Sequence, residues 1–379
     1  MTDARPTTDG RDRPLIVGVD VGGSKIAVLV VVGDERVLAR QVAPTEAGAP
    51  ARAVDEIAAV VEAALAAGGA TIDDVAAMGV GVPGRVDPLT GTVTLAVNLG
   101  WSDLPLGGRL EARFGRPCVV ENDVRAAAFG LHRRRVVGDI DDLAYLAIGT
   151  GVSAGVILGG RLHRGARGMA GEIGHVIVEP DGARCACGQQ GCLETLVSGS
   201  AIARIAREAM EGGRATALAS DLVAAETTAQ PNMVRRRTTS SNYLALREGA
   251  SAPAATPSAV DVYRAAAAGD PVATEIVDAV GRRLAWAVHL LVMAYDVERV
   301  VLGGGVSHAG ETFALPIQRE LDRMRAVSEL AREQLIPGIA ELLPPGADAG
   351  AWGAVSIAAA HARIDTGEGW EEVGHVRGS

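Results

Sequence analysis

One shape occurs twice in this chain and constrains its fold more than any other feature. From Leu15 to Val32 the sequence reads LIVGVDVGGSKIAVLVVV: a β-branched apolar run ends at Asp20, a turn follows at Gly22-Gly23, and a second apolar run begins at Ile26. The shape returns 128 residues on, from Leu143 to Gly160, as LAYLAIGTGVSAGVILGG with its turn at Gly149-Thr150-Gly151. Each copy reads as two buried strands joined by a tight turn. The offset is too long for a solenoid repeat, and it suits a duplicated domain.

The surroundings of the two copies alternate between helical and strand patterns. Val, Ile and Leu recur at helical spacing in Asp55 to Ala67, and Ala273 to Met293 reads as a long amphipathic helix. Ala76 to Val82 and Pro117 to Val120 read as short strands, as does Val300 to Leu302 before Gly303-Gly304-Gly305. Such alternation predicts an α/β protein. A chain of 379 residues suits two domains or three small ones. The expected division is a tail at 1–14, a first lobe at 15–140, a second lobe at 141–365 and a tail at 366–379. A hinge is expected near Asp139 to Asp142, with a return crossing in or near the helix Ala273 to Met293. The stretch 214–258, rich in Ser, Thr, Pro and Ala around Arg235-Arg236-Arg237, reads as an irregular insertion. Its basic run reads as a solvated loop, with anion binding as the alternative.

Composition excludes several classes of partner. The formal charge of −10 argues against non-specific binding to nucleic acid or anionic membrane. Met1 to Pro14 is polar and lacks the apolar core of a secretory signal. The longest strongly apolar stretch, Leu284 to Tyr295, contains His289 and falls well short of the roughly 20 residues of a membrane span. A cytoplasmic protein is expected.

There are four cysteines, and three of them form a C-x-C-x4-C cluster inside GEIGHVIVEPDGARCACGQQGCLE. In a reducing compartment such a cluster favours metal over disulfides. His175, Cys185, Cys187 and Cys192 would satisfy a tetrahedral zinc ion, and four protein ligands make the site structural. Gly188 and Gly191 would let the chain turn around the metal. Three free thiols that happen to be near one another are the alternative. Cys118 stands apart on an apolar strand and reads as a core thiol.

Other residues suit a polyol and a phosphate. Asn122-Asp123 follows the strand Pro117 to Val120, where a carboxylate at a strand end is well placed for a ligand. Asp123 reads either as a general base for a hydroxyl proton or as a helix N-cap. Glu172 precedes His175 by three, Glu194 follows Cys192 by two, and Asn98 lies in AVNLGW. Carboxylates, amides and an imidazole together match hydroxyls that both donate and accept. The turns Gly22-Gly23-Ser24 and Gly149-Thr150-Gly151 offer N–H groups and hydroxyls to phosphoryl oxygens. Neither matches the Walker pattern, and Gly303-Gly304-Gly305 does not match the dinucleotide fingerprint.

Taken together, these segments resemble the ROK family of repressors, open reading frames and kinases. DVGGSK at Asp20 to Lys25 resembles its N-terminal phosphate motif, with Ser24 where Thr is usual. GEIGH at Gly171 to His175 resembles its E-x-G-H sugar motif, and CACGQQGCLE at Cys185 to Glu194 its zinc loop. GVPGRVD at Gly81 to Asp87, NLGW at Asn98 to Trp101, END at Glu121 to Asp123, GTGVSAG at Gly149 to Gly155 and GGGVS at Gly303 to Ser307 also fit. The resemblance runs from about Ile16 to His361.

It implies a duplicated, actin-like, ribonuclease-H-like fold of two lobes with a cleft between them, and an ATP-dependent kinase acting on a hexose, glucose first. Asp123 would be the base for the 6-hydroxyl. Gly84, Asn98, Asn122, Glu172, His175 and Glu194 would hold the sugar. Asp20 would lie near Mg2+, with Gly22, Gly23, Ser24, Lys25, Thr150 and Gly151 near the phosphates and Gly303, Gly304 and Gly305 at the nucleotide end. The metal loop would orient His175 and Glu194, and a homodimer is implied. This sequence departs from the family pattern at Ser153, at Arg125 where Asn is common, and at Trp352. Kinases of N-acetylmannosamine, N-acetylglucosamine, fructose or allose are the alternatives, as is a sugar-responsive regulator without catalysis. With 14 residues ahead of Leu15 there is no room for the two helices of a helix-turn-helix.

Overall fold

The computed structural model describes residues 13–33, 36–46, 48, 50–216, 218 and 257–365, the last three by backbone alone. The tails expected at 1–14 and 366–379, apart from residues 13 and 14, lie outside the described residues. So does most of the stretch 214–258, including its three arginines. The chain forms two compact units. One comprises Met1–Asp139, Gly155–Ala170 and Gly346–Ser379; the other comprises Ile140–Ala154 and Gly171–Pro345.

The first unit opens with β1 (Leu15–Val21), β2 (Lys25–Val32) and β3 (Arg36–Pro44), an antiparallel run in which Val19 faces Val28 and Val21 faces Ile26. The helix α1 (Ala53–Ala67) follows, then β4 (Val75–Val82). Three short strands, β5 (Arg85–Asp87), β6 (Thr92–Ala96) and β7 (Trp101–Leu104), form a separate antiparallel sheet. The helix α2 (Leu106–Phe114), β8 (Cys118–Asn122) and α3 (Asp123–Arg133) complete the N-terminal part. The main sheet has the order β3-β2-β1-β4-β8, with β4 parallel to both β1 and β8.

β1 and β2 are buried almost throughout because both faces of the sheet are covered. α1 packs on β2 and β3, and the C-terminal helix Ala349–Asp365 packs on β1 and β4. Glycine admits that helix: a Cβ on Gly79 would lie 2.0 Å from the Ala354 carbonyl oxygen, and one on Gly18 2.5 Å from Val355 Cγ2. Register places Asp20 beside Gly81, and Gly81 beside Glu121, so the carboxyl ends of three parallel strands lie level.

The second sheet contains β9 (Leu143–Ile148), β10 (Val152–Leu158), β11 (Arg161–Leu162), β12 (Arg299–Gly303) and β13 (Ala340–Leu342). Its order is β11-β10-β9-β12-β13, the order of the first sheet strand for strand. β11 is antiparallel to β10, while β12 is parallel to β9 and β13. The helices of this half are α4 (Glu194–Val197), α5 (Gly199–Glu211), α6 (Ala259–Ala267), α7 (Pro271–Tyr295), α8 (Glu311–Val327) and α9 (Glu329–Gln334). Their starts follow local rules: Ser198 caps α5, Ser258 caps α6 with Asp261 completing a capping box, and Asp270 caps α7 ahead of Pro271. Among the described residues no helix is long and apolar enough to cross a membrane.

Candidate active site and metal centre

In the first unit the candidate residues gather at the ends of β1, β4 and β8. Of the two sequence readings for Asp123, the capping one does not hold. Asn122 is the cap of α3, its side-chain oxygen accepting from Arg125 N–H at 3.0 Å, and Asp123 is the first helical residue. Asp123 Oδ1 accepts from Val124 N–H at 2.9 Å and from Asn122 Nδ2 at 3.1 Å. Asn122 Nδ2 also donates to the Gly84 carbonyl at 3.0 Å. Gly84 has φ +95°, and a Cβ there would lie 2.1 Å from the Leu95 carbonyl oxygen, so no other residue fits. Asn98 is exposed in the short helical turn Val97–Leu99, and Gly23 approaches its Cβ.

Asp20 stands at the end of β1. A Cβ on Gly350 would lie 2.4 Å from Asp20 Oδ2, so the carboxylate rests on the first turn of the C-terminal helix. Burial, and then the carboxylates of Asp123 and Asp348, push Asp20 up to about 7 against the pull of Lys25. Arg40 pairs with Asp348 at 2.5 Å. The turn beside Asp20 is held by Gly22 N–H donating to the Lys25 carbonyl at 2.8 Å and by Thr45 Oγ1 donating to the Gly22 carbonyl at 2.8 Å. Gly23, Ser24 and Lys25 are exposed.

Sequence reasoning missed the support beneath Asp123. Glu121 is buried, its Oε1 accepting from Arg125 Nε at 2.8 Å and from Asn122 N–H at 2.8 Å, its Oε2 from Arg164 Nε at 2.7 Å. Arg125 also donates from Nη1 to the Gly168 carbonyl at 2.6 Å. Burial alone would raise the Glu121 carboxyl, but the two guanidiniums and the amide hold it below the usual carboxylate range. Arg125, a departure from the family pattern, ties α3 to the segment before Gly171. A cation four residues from an acid on a strand-to-helix junction was the one sequence signal available.

In the second unit the cysteine loop is closed by its own backbone. Leu193 N–H donates to the Val176 carbonyl and Val178 N–H to the Gly191 carbonyl, each at 2.9 Å. Gly188 and Gly191, at φ +95° and +76°, make the bends. A ring nitrogen of His175 and the sulfurs of Cys185, Cys187 and Cys192 all lie within 4.8 Å of one another. Zinc–thiolate bonds of about 2.3 Å at the tetrahedral angle place sulfurs about 3.8 Å apart. Cys187 Sγ and Cys192 Sγ are 3.7 Å apart, as are Cys185 Sγ and His175 Nδ1. The donor set and its edges fit a tetrahedral metal. Cys118 lies elsewhere, in the first core, with its thiol pushed up to about 12 by burial.

Glu172 precedes the helical turn Ile173–His175, its carbonyl accepting from His175 N–H at 3.1 Å. Glu194 Oε2 accepts from Val152 N–H at 2.9 Å, beside the turn at 149–151. That turn is also held by Gly199 N–H on the Gly149 carbonyl at 2.7 Å and by Ser200 Oγ on the Thr150 carbonyl at 2.9 Å. Gly304, at φ +86°, lies against Ile148, where a Cβ would meet its carbonyl oxygen at 2.4 Å. Gly304 therefore lies against the last residue of β9, just before the 149–151 turn, and Gly303 pairs with Ala147 on the same strand.

The ROK family model matches residues 16–361. A glucokinase of Halalkalibacterium halodurans is 33% identical over 308 residues, 81% of this chain and 84% of that one. A xylose repressor of Caldicellulosiruptor bescii is 38% identical over 136 residues, 36% of this chain and 34% of that one. Among solved structures, a ROK family glucokinase from Streptomyces griseus in complex with glucose and AMPPNP superposes with a TM-score of 0.72 at 32% identity, covering 91% of this chain and 99% of that one. The repeated sheet order is that of the actin-like, ribonuclease-H-like α/β fold.

Proposed function

The chain belongs to the ROK family, and from that premise we propose that it transfers the γ-phosphoryl group of Mg-ATP to the 6-hydroxyl of a hexose, glucose first. The observation that carries this reading is the setting of Asp123. Its Oδ1 is fixed by two donors at the start of α3, at a strand end, as a positioned base requires. The similar glucokinases match at about a third identity over most of this chain.

In this reading the Asp123 carboxylate accepts the proton of the sugar hydroxyl. The hydroxyl oxygen bonds to the γ-phosphorus, and the bond from phosphorus to the β,γ-bridging oxygen breaks to release ADP. Gly84, Asn98, Asn122, Glu172, His175 and Glu194 hold the sugar hydroxyls. The N–H groups of Gly23 and Gly151, with Ser24, Lys25 and Thr150, hold phosphoryl oxygens, Gly22 lies beside them with its own N–H committed to the Lys25 carbonyl, and Gly303 to Gly305 border the nucleotide. Mg2+ entering with ATP supplies charge neutralisation on the phosphates, beside Asp20.

His175, Cys185, Cys187 and Cys192 hold one structural zinc ion. His175 offers Nδ1 to it, which leaves Nε2 to meet a sugar hydroxyl. The protein is cytoplasmic and a homodimer in this reading. Trp286, Leu290 and Met293, exposed on one face of α7, are the surface that supports self-association. Sedimentation of wild type and Trp286→Glu tests the dimer.

A coupled ADP-release assay with Mg-ATP across glucose, fructose, N-acetylmannosamine, N-acetylglucosamine and allose tests the activity. Turnover highest with glucose is expected. Sugar binding with no ADP release for any hexose would move the protein to the regulators.

A further inference from the structure

The turn between β9 and β10 and the cysteine loop meet at a single carboxylate. Glu194 starts α4 two residues after Cys192. Its Oε2 accepts from Val152 N–H at 2.9 Å, and its Oε1 lies 3.9 Å from Cys185 Sγ. A Cβ on residue 151 would stand 2.6 Å from Oε2. Residue 151 is not among the positive-φ glycines, so a side chain there would meet no backbone strain but would displace this carboxylate from its place on the turn. The chain then returns from α4 to brace the rest of the turn through Gly199 and Ser200.

Holding a sugar hydroxyl needs only one oxygen of the Glu194 carboxylate, and Oε2 is already committed to Val152 N–H. A charge-assisted bond to a backbone amide fixes a turn more firmly than a neutral one. The helix that carries Glu194 is four residues long, too short to hold its own conformation. Its direction is set by the loop that ends at Cys192, and that loop has no disulfide.

We infer that Glu194 is a positioning residue for the nucleotide: it carries the order of the cysteine loop into the 149–151 turn, so that phosphate binding there depends on the loop being closed by its metal. The inference rests on the kinase reading, in which Thr150 and Gly151 meet phosphoryl oxygens.

A double-mutant cycle tests it. A fluorescent N-methylanthraniloyl derivative of AMPPNP, with Mg2+ and no sugar, is titrated into full-length wild type, Glu194→Ala, Glu194→Gln, Gly151→Ala, the Gly151→Ala/Glu194→Ala double variant and Cys187→Ser. Glu194→Ala, Gly151→Ala and Cys187→Ser should each weaken binding on the order of tenfold. Glu194→Gln keeps an acceptor for Val152 N–H and should lose less. In the Glu194→Ala background Gly151→Ala should add little, because the oxygen it would strike is gone. Glu194→Ala should retain its metal by native mass spectrometry, which separates lost positioning from lost metal.

Unchanged affinity in folded Glu194→Ala would overturn the inference, as would a Gly151→Ala cost that is the same in both backgrounds. Failure of the wild type itself to bind the analogue would sink the kinase reading and the coupling with it.

Discussion

The turns at 22–25 and 149–151 close equivalent strand pairs in sheets of the same order, but they are held in different ways. The first is held from within its own sheet: Thr45, just past β3, takes the Gly22 carbonyl with its hydroxyl and the Ser24 carbonyl with its N–H. The second is held from more than forty residues downstream, by Glu194, Gly199 and Ser200. Gly22 and Gly23 are not at positive φ; a Cβ on Gly22 would crowd the Lys25 carbonyl oxygen at 3.3 Å, whereas one on Gly23 would come no nearer than 3.9 Å to its surroundings. Neither backbone strain nor packing accounts for Gly23, which is consistent with a ligand approaching the backbone there. At Gly151, by contrast, a Cβ would stand 2.6 Å from the Glu194 carboxylate and displace it. Duplication supplied the strand pair and its turn, while each copy obtained its rigidity separately, one from the end of a neighbouring strand and one from the segment that follows the cysteine loop.

The largest expected effect separates the chemistry of the first unit from the architecture of both. Asp123→Asn should lower kcat by about 10²–10⁴-fold with little change in sugar affinity, because a positioned base contributes on that scale. Stopped-flow ADP release and calorimetric sugar titration measure the two. A variant keeping most of its kcat would remove Asp123 as the base.

Next is Asp20, which has no counterpart at the second turn. Its carboxyl is raised from 3.8 to about 7 by burial and by Asp123 and Asp348. Below about pH 4 it is protonated in folded and unfolded chains alike and costs nothing. As pH rises toward 7 the unfolded chain ionises first, so the fold loses stability across that interval, by roughly 4 kcal/mol at most. Asp20→Asn should therefore melt higher than wild type at pH 8 without nucleotide, and the gap should shrink toward pH 4. Equal melting temperatures at pH 8 would mean that Asp20 carries no such burden.

The metal loop comes third. Cys187→Ser should lose its zinc, become open to proteolysis between residues 176 and 193, and fall about 10–100-fold in kcat/KM. Metal analysis, limited proteolysis and kinetics report on these separately. A zinc-free, fully active Cys187→Ser protein would break the comparison, since the second turn would then need no brace from the loop.

The smallest effect ranks the braces. Thr45→Ala and Ser200→Ala each remove one hydroxyl from a turn carbonyl, worth about 1 kcal/mol. Because the second turn has other supports, Thr45→Ala should raise the KM for ATP more than Ser200→Ala does. The reverse order would show that the first turn is the better held of the two.

The repeated strand pairs were legible because fully buried strands leave unbroken apolar runs, and the first pair extends those runs by only one residue each, β1 to Val21 and β2 from Lys25. The cysteine loop was legible from its spacing, and the four donor atoms that the spacing singled out do converge. Other elements left weaker traces. β3 is half exposed and polar, and β5 to β7 are three to five residues long, too short for a period to register. The C-terminal helix is apolar on most sides, since it packs on both α3 and the sheet, so its pattern shows no single face. Long-range partners were not legible at all. Nothing in the order of residues pairs Glu121 with Arg164, or Glu194 with Val152. Asp123 drew two readings because an acid at a strand-to-helix junction suits both a cap and a base. The cap fell to Asn122, one residue earlier, because its side-chain oxygen reaches Arg125 N–H.

The kinase reading is tested most directly by identifying the product. Wild-type protein incubated with Mg-ATP and glucose should yield a new phosphorus resonance correlated with the two C6 protons of the sugar, with ADP in equal amount, and Asp123→Asn should give neither in the same time. Phosphorus coupled to another carbon would contradict the assigned hydroxyl. No sugar phosphate from any hexose of the panel, in a sample that binds both sugar and nucleotide, would contradict the kinase reading itself.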